Sequence, residues 1–429
     1  MNSDLPATGT AALLELLNPF VPDNFITECW PPGHTGGRRR DYSAAQLYRI
    51  HLLSLLTPVH SVNLLVKLLP EQRAWRKFAG LRRQTQVPGV RVLHEFRHRV
   101  GVAGLRRINA HLLAPLLASY LWQPWSVGLM DATDLPAACV GFKKNTGQYS
   151  AGHAALGGRT LKTGQSYCFV GYKKHTLRLW LHHYAVGVQL VPLVSWVTPA
   201  NVSEGGLLVP SLHYSQRQWD WCPPLVVADM GYLGAPIKRQ CREQWGVSVL
   251  TRLRSDMKLV PPYVAWHQAA CPHGEPLTWL GYDGRAGEHW FGVGAEPELC
   301  RCCWEAARCP RQFAHQPAEH ETLLGRLPLA SRAARVALYQ VRPWIEPAQS
   351  FEKNQLGLSN IFFNSLRFTW VMGLLADAVV LLRARALLGR PPDSSLLTNL
   401  MPFQLPLELG AETTTPLSPS QITNTQNPQ

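Results

Sequence analysis

The chain has 429 residues, of which 46% are hydrophobic, a length and composition that allow two or three domains with a real core. A formal charge of +14 and an isoelectric point near 9.5 favour a polyanionic partner, nucleic acid ahead of a membrane or an acidic protein. The N-terminus lacks a charged segment followed by an apolar one, and the apolar stretch Trp370–Leu382 is too short and carries Asp377, so secreted and membrane-spanning classes are disfavoured and a cytoplasmic address is expected.

The excess charge is uneven. Residues 1–125 hold fifteen Lys or Arg against seven Asp or Glu, and residues 135–180 hold seven basic residues and no acidic one. Such local one-signedness favours phosphate contact over a generally soluble surface. The first 120 residues read as helical. Ser43 can cap a helix in which Leu47, Ile50, Leu53 and Leu56 recur at threes before Pro58. Ser61 can cap another with Leu64, Leu65, Leu68 and Leu69 on one face. A third, after Pro88, turns Leu93, Phe96 and Val100 inward and leaves Arg91, Arg97 and Arg99 outward, where Arg97 and Arg99 suit contact with duplex DNA.

From Ser126 the pattern turns to strands. SVGLMDAT is a short apolar strand ending at Asp131, with Asp134 as a rival ligand three residues on. The glycine-rich basic segment Gly141–Gly164 is not expected to form a core element and has no Walker spacing. Its Lys143 and Lys144 could lie along a DNA backbone, as could Lys173 and Lys174 at the head of the next strand; the alternative is a surface loop. Two long strands then form a hairpin turning near Gly187, a helix opens at Asn201–Glu204, and PLVVADMGY is a buried strand ending at Asp229. Trp196 could stack on an unpaired base, although core packing also accounts for it.

Between Asp229 and Glu346 lie 116 residues, too many for a simple connection and read as an inserted β subdomain. Cys271, Cys300, Cys303 and Cys309 there have spacings that a structural zinc could use, with Cys302 and His273 competing for places and reduced thiols as the alternative. Cys29, Cys139, Cys168, Cys222 and Cys241 are scattered and expected to be packing residues. Beyond the insertion, Tyr339, Arg342, Glu346 and Lys353 precede a long apolar helical run. Pro343 and Pro347 complicate a continuous helix, so one starting close to Glu346 with Pro347 in its first turn is expected. Glu352 is the fallback carboxylate. Two strand-end aspartates plus a glutamate from a later helix are what a site needs to hold two divalent cations against a phosphodiester.

The Tyr-x2-Arg-x3-Glu-x6-Lys series, with GLMDAT, LVSWVTPANVSE and VVADMGY in the same order, resembles the signature of bacterial insertion-sequence transposases of the DDE, ribonuclease-H-like superfamily, over about Leu13–Leu388. The resemblance implies an α+β fold: a ribonuclease-H-like mixed sheet with flanking helices, an N-terminal all-helical DNA-binding domain and a β-rich insertion. The expected divisions are a helical domain at 1–120, the catalytic core at 121–250 and 336–390, the insertion at 251–335 and a disordered tail at 391–429. It implies Asp131, Asp229 and Glu346 as the metal-binding triad, and Tyr339, Arg342 and Lys353 as phosphate contacts. Two magnesium ions, with manganese as the substitute, would serve strand cleavage and strand transfer on double-stranded DNA, both transposon ends and target. A homodimer in a nucleoid-associated synaptic complex is the implied assembly. A DNA-binding protein without catalysis and a ribonuclease-H-like nuclease without strand transfer are the competing readings. Pro347, directly after Glu346, departs from the family pattern.

Overall fold

The computed structural model describes residues 9–30, 41–120, 127–160, 165–183, 187–232, 234–252, 263–265, 268–271, 273, 275–283, 285–286, 288–294, 299–315, 334 and 336–388. They form two compact units, one built from the described residues of 1–122, 132–202 and 346–398, the other from those of 123–131 and 203–345. The tail expected at 391–429 lies outside the described residues.

The first unit begins with helices α1 (Gly9–Leu17), α2 (Asp23–Glu28), α3 (Ala44–Leu56), α4 (Val62–Leu68), α5 (Arg73–Phe78) and α6 (Val90–Tyr120). Ser43 caps α3 as expected, and a reciprocal bond from its own N–H to Gln46 completes a capping box. Ser61 caps α4, but only Leu65 and Leu69 are buried there and Leu64 is 48% exposed. A seven-residue helix has too few turns to hide four leucines. Leu93, Phe96 and Val100 are buried in α6, which kinks at Gly101. With φ 57° and ψ −164°, Gly101 holds a conformation that a side chain would strain.

Strand β1 (Val127–Pro136) runs from the second unit into the first, followed by the small hairpin β2 (Phe142–Lys143) and β3 (Gln148–Tyr149), then β4 (Ala155–Thr160), β5 (Ser166–His183) and β6 (Gly187–Pro199). The last three pair antiparallel, and the hairpin of β5 and β6 turns just before Gly187, as expected. The glycine-rich segment was expected to stay out of the sheet; its second half instead forms β4. Gly157 explains how, since a Cβ there would fall 2.7 Å from that of Ala200, so only glycine admits the close approach. Gly171 likewise lets β5 meet β1, where an added Cβ would lie 2.4 Å from the Leu135 carbonyl oxygen. The C-terminal helix Leu366–Leu388 packs on α6 and β6. Among the described residues no helix is long and apolar enough to cross a membrane.

Four charges lie inside this unit. Lys174 and Arg178 share one face of β5, and Glu352 accepts from both at 2.6 Å, while Asp377 accepts from Lys174 at 2.7 Å. All four side chains are at most 2% exposed. Burial pushes the Glu352 carboxyl up, but Arg178 and Lys174 outweigh it and hold the group at about 2.

The second unit contains α7 (Leu208–Trp219), β7 (Leu225–Ala228), α8 (Ala235–Trp245) and β8 (Ser248–Thr251), with β7 parallel to both β1 and β8. The sheet is therefore mixed, with parallel and antiparallel pairs, and helices flank it. The helix expected from Asn201 starts later, with a 3-10 turn at Gly205–Leu207 and regular α-helix from Leu208; the paired glycines 205 and 206 delay it. The cysteine-bearing segment supplies β9 (Tyr263–Ala265), β10 (Gln268–Ala269) and the antiparallel sheet of β11 (Leu277–Asp283), β12 (Glu288–Val293) and β13 (Gln312–His315).

Removing one partner from a buried ion network leaves uncompensated charge, which costs about 3–5 kcal/mol. Glu352→Gln, which strands Arg178 and Lys174, is expected to lower the unfolding free energy by that amount in a urea titration, whereas Glu95→Gln on the surface of α6 should leave it nearly unchanged.

Candidate functional site

The pairing of three parallel strands sets the geometry. Met130 stands opposite Ala228, and Ala228 opposite Thr251. The next residues are Asp131, Asp229 and Arg252, so the two aspartates come side by side where the parallel pairing stops: Asp229 follows the end of β7, whereas β1, expected to end at Asp131, continues to Pro136. The apolar residues before them are buried and anchor the row, while Asp131 and Asp229 are half-buried and accessible.

Asp229 accepts from the Met230 N–H at 2.7 Å, and Arg342 places its guanidinium 3.3 Å from the same carboxylate oxygen. The Arg252 guanidinium lies 4.8 Å from the ring centre of the exposed Tyr339. Beneath the aspartates, the Tyr232 hydroxyl is buried, and its pKa is pushed well above its ordinary value by that burial and then by Glu204, Asp131 and Asp229. Glu204 is thus a third carboxylate of this neighbourhood, and sequence reasoning did not single it out. Its closeness depends on Gly231, where a Cβ would fall 3.0 Å from the Glu204 Oε2. Two signals were available: the LVSWVTPANVSE motif, which ends on Glu204 and was given no site role, and the glycine-tyrosine pair after Asp229.

Glu346 is exposed on the helix Ile345–Ser350, with Pro347 in the first turn as expected, although the backbone is already helical upstream through a π turn at Ala337–Val341 and a 3-10 turn at Arg342–Trp344. One turn after Glu346, the Gln349 amide donates to the carbonyl of Ala132 at 3.2 Å, fastening that helix to β1 at the residue following Asp131. Lys353 is half-buried in the next π turn. Glu352, the fallback carboxylate, is committed to Lys174 and Arg178 inside the protein and is unavailable to a cation at the surface. Asp134 is half-buried further along β1.

The basic residues divide. Lys143 and Lys144 are exposed on the small hairpin. Lys174 is not: its ammonium is buried between two carboxylates, and Lys173 is itself only 9% exposed, so neither presents a surface charge for DNA. Arg99 pairs with Glu95, and Arg97 stacks 4.5 Å over Phe368 with its pKa lowered to about 10 by burial, so neither stands free on its helix as expected. Trp196 is sandwiched by Arg106, whose guanidinium lies 4.1 Å from its ring, and is a packing residue.

All ten cysteines are free. Cys29 and Cys241 are buried, but Cys139 and Cys168 are exposed, contrary to a packing role. In the insertion, Cys271 is buried and Cys300, Cys303 and Cys309 are half-buried, with Cys302 exposed and His273 bonded to Glu305 at 2.8 Å. Desolvation, then Glu275, Cys271, Cys309 and Cys303, raise the Cys300 pKa, so each of these groups lies within electrostatic reach of Cys300. Among the described residues no three His, Cys, Asp or Glu side chains are gathered closely enough to enclose a metal ion. The oxygen donors of Asp131 and Asp229 nevertheless fit a hard divalent cation, and the thiols fit zinc.

Compared with known protein families, residues 122–376 match the Transposase DDE domain and residues 6–99 match the Transposase domain (DUF772). No curated protein matches the chain.

Lys238 of α8 is buried and donates to Thr251 at the end of the same three-strand row, at 2.8 Å. Burial pushes its pKa from 10.5 down to about 7. Between these values the unfolded chain binds more protons than the folded one, so this group makes stability rise with pH from about 7 towards 10.5. Relative to Lys238→Met, the native protein is expected to gain on the order of 2 kcal/mol between about pH 7 and pH 9, measured by denaturant titration at both values.

Proposed function

The chain belongs to the Transposase DDE domain family, and from that premise we propose that it cleaves DNA at transposon ends and joins the freed ends to target DNA. The observation that carries the reading is the parallel register of Met130 with Ala228, which brings Asp131 of β1 beside Asp229 at the end of β7. Around it we read a ribonuclease-H-like core, with Glu346 as the third carboxylate. Its helix is tied to β1 through Gln349, immediately after Asp131, which supports that choice.

These three carboxylates would hold a pair of magnesium ions, or manganese in their place. When bound, such ions polarise the attacking oxygen, neutralise the charge growing on the phosphate and stabilise the leaving oxygen. The protein's own residues do the positioning. Arg342, which neutralises part of the Asp229 charge in the absence of a cation, is placed to take a phosphate oxygen when DNA arrives, and its planar fork suits two-point contact. Tyr339 and Lys353 add contacts on flanking phosphates, and Lys143 and Lys144 add charge from the exposed hairpin. Water first displaces the 3′ oxygen of the transposon end from phosphorus, leaving a free 3′ hydroxyl. That hydroxyl then displaces a target-strand 3′ oxygen in the same way, so no covalent enzyme–DNA bond is needed. Holding two ends and a target implies a dimer on DNA.

We also propose that Cys271, Cys300, Cys303 and Cys309 hold a structural zinc, a reading supported by their spacing and by the electrostatic reach of the other three thiols to Cys300. Elemental analysis of reduced, chelator-washed protein should return about one zinc per chain, and Cys303→Ser should lose it; zinc-free native protein of unchanged melting temperature would leave reduced thiols instead.

A supercoiled plasmid bearing the cognate ends tests the catalytic reading. With magnesium, the native protein should nick it and give joined donor–target products. Asp229→Asn should fall by about 10³-fold or more, to the metal-free background. Tight DNA binding with no cleavage in magnesium or manganese would establish the binding protein without catalysis, and cleavage without joined products the simple nuclease.

A further inference from the structure

Far along the chain from the paired aspartates, the first unit contains a cavity of about 600 Å³, within the range that accepts small ligands. One wall is a face of α6. His94, Arg97 and His98 stand at offsets of three and four and so point the same way, while Leu93 and Phe96 face the core. The opposite wall is the segment entering the C-terminal helix, with Phe362, Arg367 and Phe368.

Both arginines are held in place. The Arg97 guanidinium lies over the Phe368 ring. The kink at Gly101 interrupts the helix, and the Arg367 Nη2 donates to the carbonyl of His98 at 2.6 Å. His60 closes the floor. Its Nδ1 donates to the Ser54 carbonyl at 2.9 Å, and its ring packs so tightly under Gly357 that a Cβ there would fall 2.0 Å away. The groups are therefore preorganised.

Among the described lining residues there is no carboxylate. The nearest acid on α6, Glu95, is occupied by Arg99. Two guanidiniums with no carboxylate among the described lining residues suit an anion, and the fork of arginine suits phosphate; the three imidazoles beside them add hydrogen-bonding groups. At the rim Phe362 is 78% exposed, an aromatic face with nothing packed on it in proportion to its size. Asn360 and Asn364 flank it, and their amides can both donate and accept, as a base edge requires.

We propose that this cavity receives one unpaired nucleotide of the DNA substrate, with its phosphate on Arg97 and Arg367 and its base stacked on Phe362. The assignment rests on the DNA-processing function proposed above. Phosphate, a flat aromatic face and a polar edge are combined in a nucleotide, and a pocket of this size admits a single base rather than a duplex.

The test measures fluorescence anisotropy of the full-length protein with a blunt duplex and with the same duplex carrying a short single-stranded overhang. The native protein should prefer the overhang substrate. Phe362→Ala should weaken binding of that substrate about tenfold or more, while Phe362→Trp, which keeps an aromatic platform, should restore it. Arg367→Gln should lower the slope of log affinity against log salt by about one, a readout that a merely structural arginine would not move. If the native protein binds both duplexes alike and the variants change neither affinity nor salt slope, the cavity assignment falls while DNA binding stands. If no DNA is bound at all, the functional reading falls with it. Competition by a free deoxynucleoside monophosphate as effective as by the overhang DNA would overturn the DNA assignment in favour of a small-molecule ligand.

Discussion

Inside the first unit the buried quartet of Lys174, Arg178, Glu352 and Asp377 governs what the rest can do. Desolvating four charges is costly, and only the mutual contacts at 2.6–2.7 Å make the arrangement tolerable. Because the partners come from β5, from the turn after the Glu346 helix and from the C-terminal helix, the network can close only when those three segments are in register. An apolar core would allow them to slide; a two-cation, two-anion core does not. The helix carrying Glu346 and Gln349 is thereby held at its C-terminal end by Glu352 and along its side by the Gln349 bond to β1. A surface glutamate thus owes its place to a buried one six residues on.

The second unit uses a different device. Three parallel strands carry buried residues up to Met130, Ala228 and Thr251, and the next residue along each is charged, although β1 itself continues to Pro136. Placing two carboxylates side by side is unfavourable unless something offsets their repulsion. Arg342 does so for Asp229, and Tyr232 contributes a buried hydroxyl whose ionisation these acids oppose. The row thus brings acidic and basic side chains to one level, with Arg342 beside Asp229 and Arg252 next along the sheet.

How much of this was legible depended on the range of the interaction involved. Ser43 as a cap, the hairpin of β5 and β6 and the strand leading into Asp229 are governed by residues near in sequence, and each was readable from spacing and turn chemistry; the first strand was found but runs past Asp131 to Pro136. Lys174 and Glu352 were misread because their partners lie 178 positions apart, and nothing in GYKKHTLRLWL distinguishes a lysine pointing inward from one pointing to solvent. Strand β4 was missed for a related reason: glycine lowers strand propensity, yet at Gly157 its missing side chain is what lets the strand fit against Ala200. Leu64 failed in the opposite direction, since apolar periodicity marks a face but not how much of that face the neighbouring helices cover.

The same distinction changes what a net charge of +14 means. Counted by sequence, residues 135–180 are the most one-sided stretch; counted by structure, Lys174 and Arg178 are spent internally on Glu352 and Asp377, just as Arg49 is on Asp23. Among the described side chains of that stretch, the exposed charge is thus carried by Lys143 and Lys144 at the small hairpin. Arg97 and Arg367 show the converse. Arg97 is half-buried and Arg367 exposed, and both line a cavity with no carboxylate among its described lining residues. For a polyanion, a few preorganised cations with no carboxylate among their described neighbours attract more strongly than many that are paired with one, because a paired carboxylate cancels much of the field.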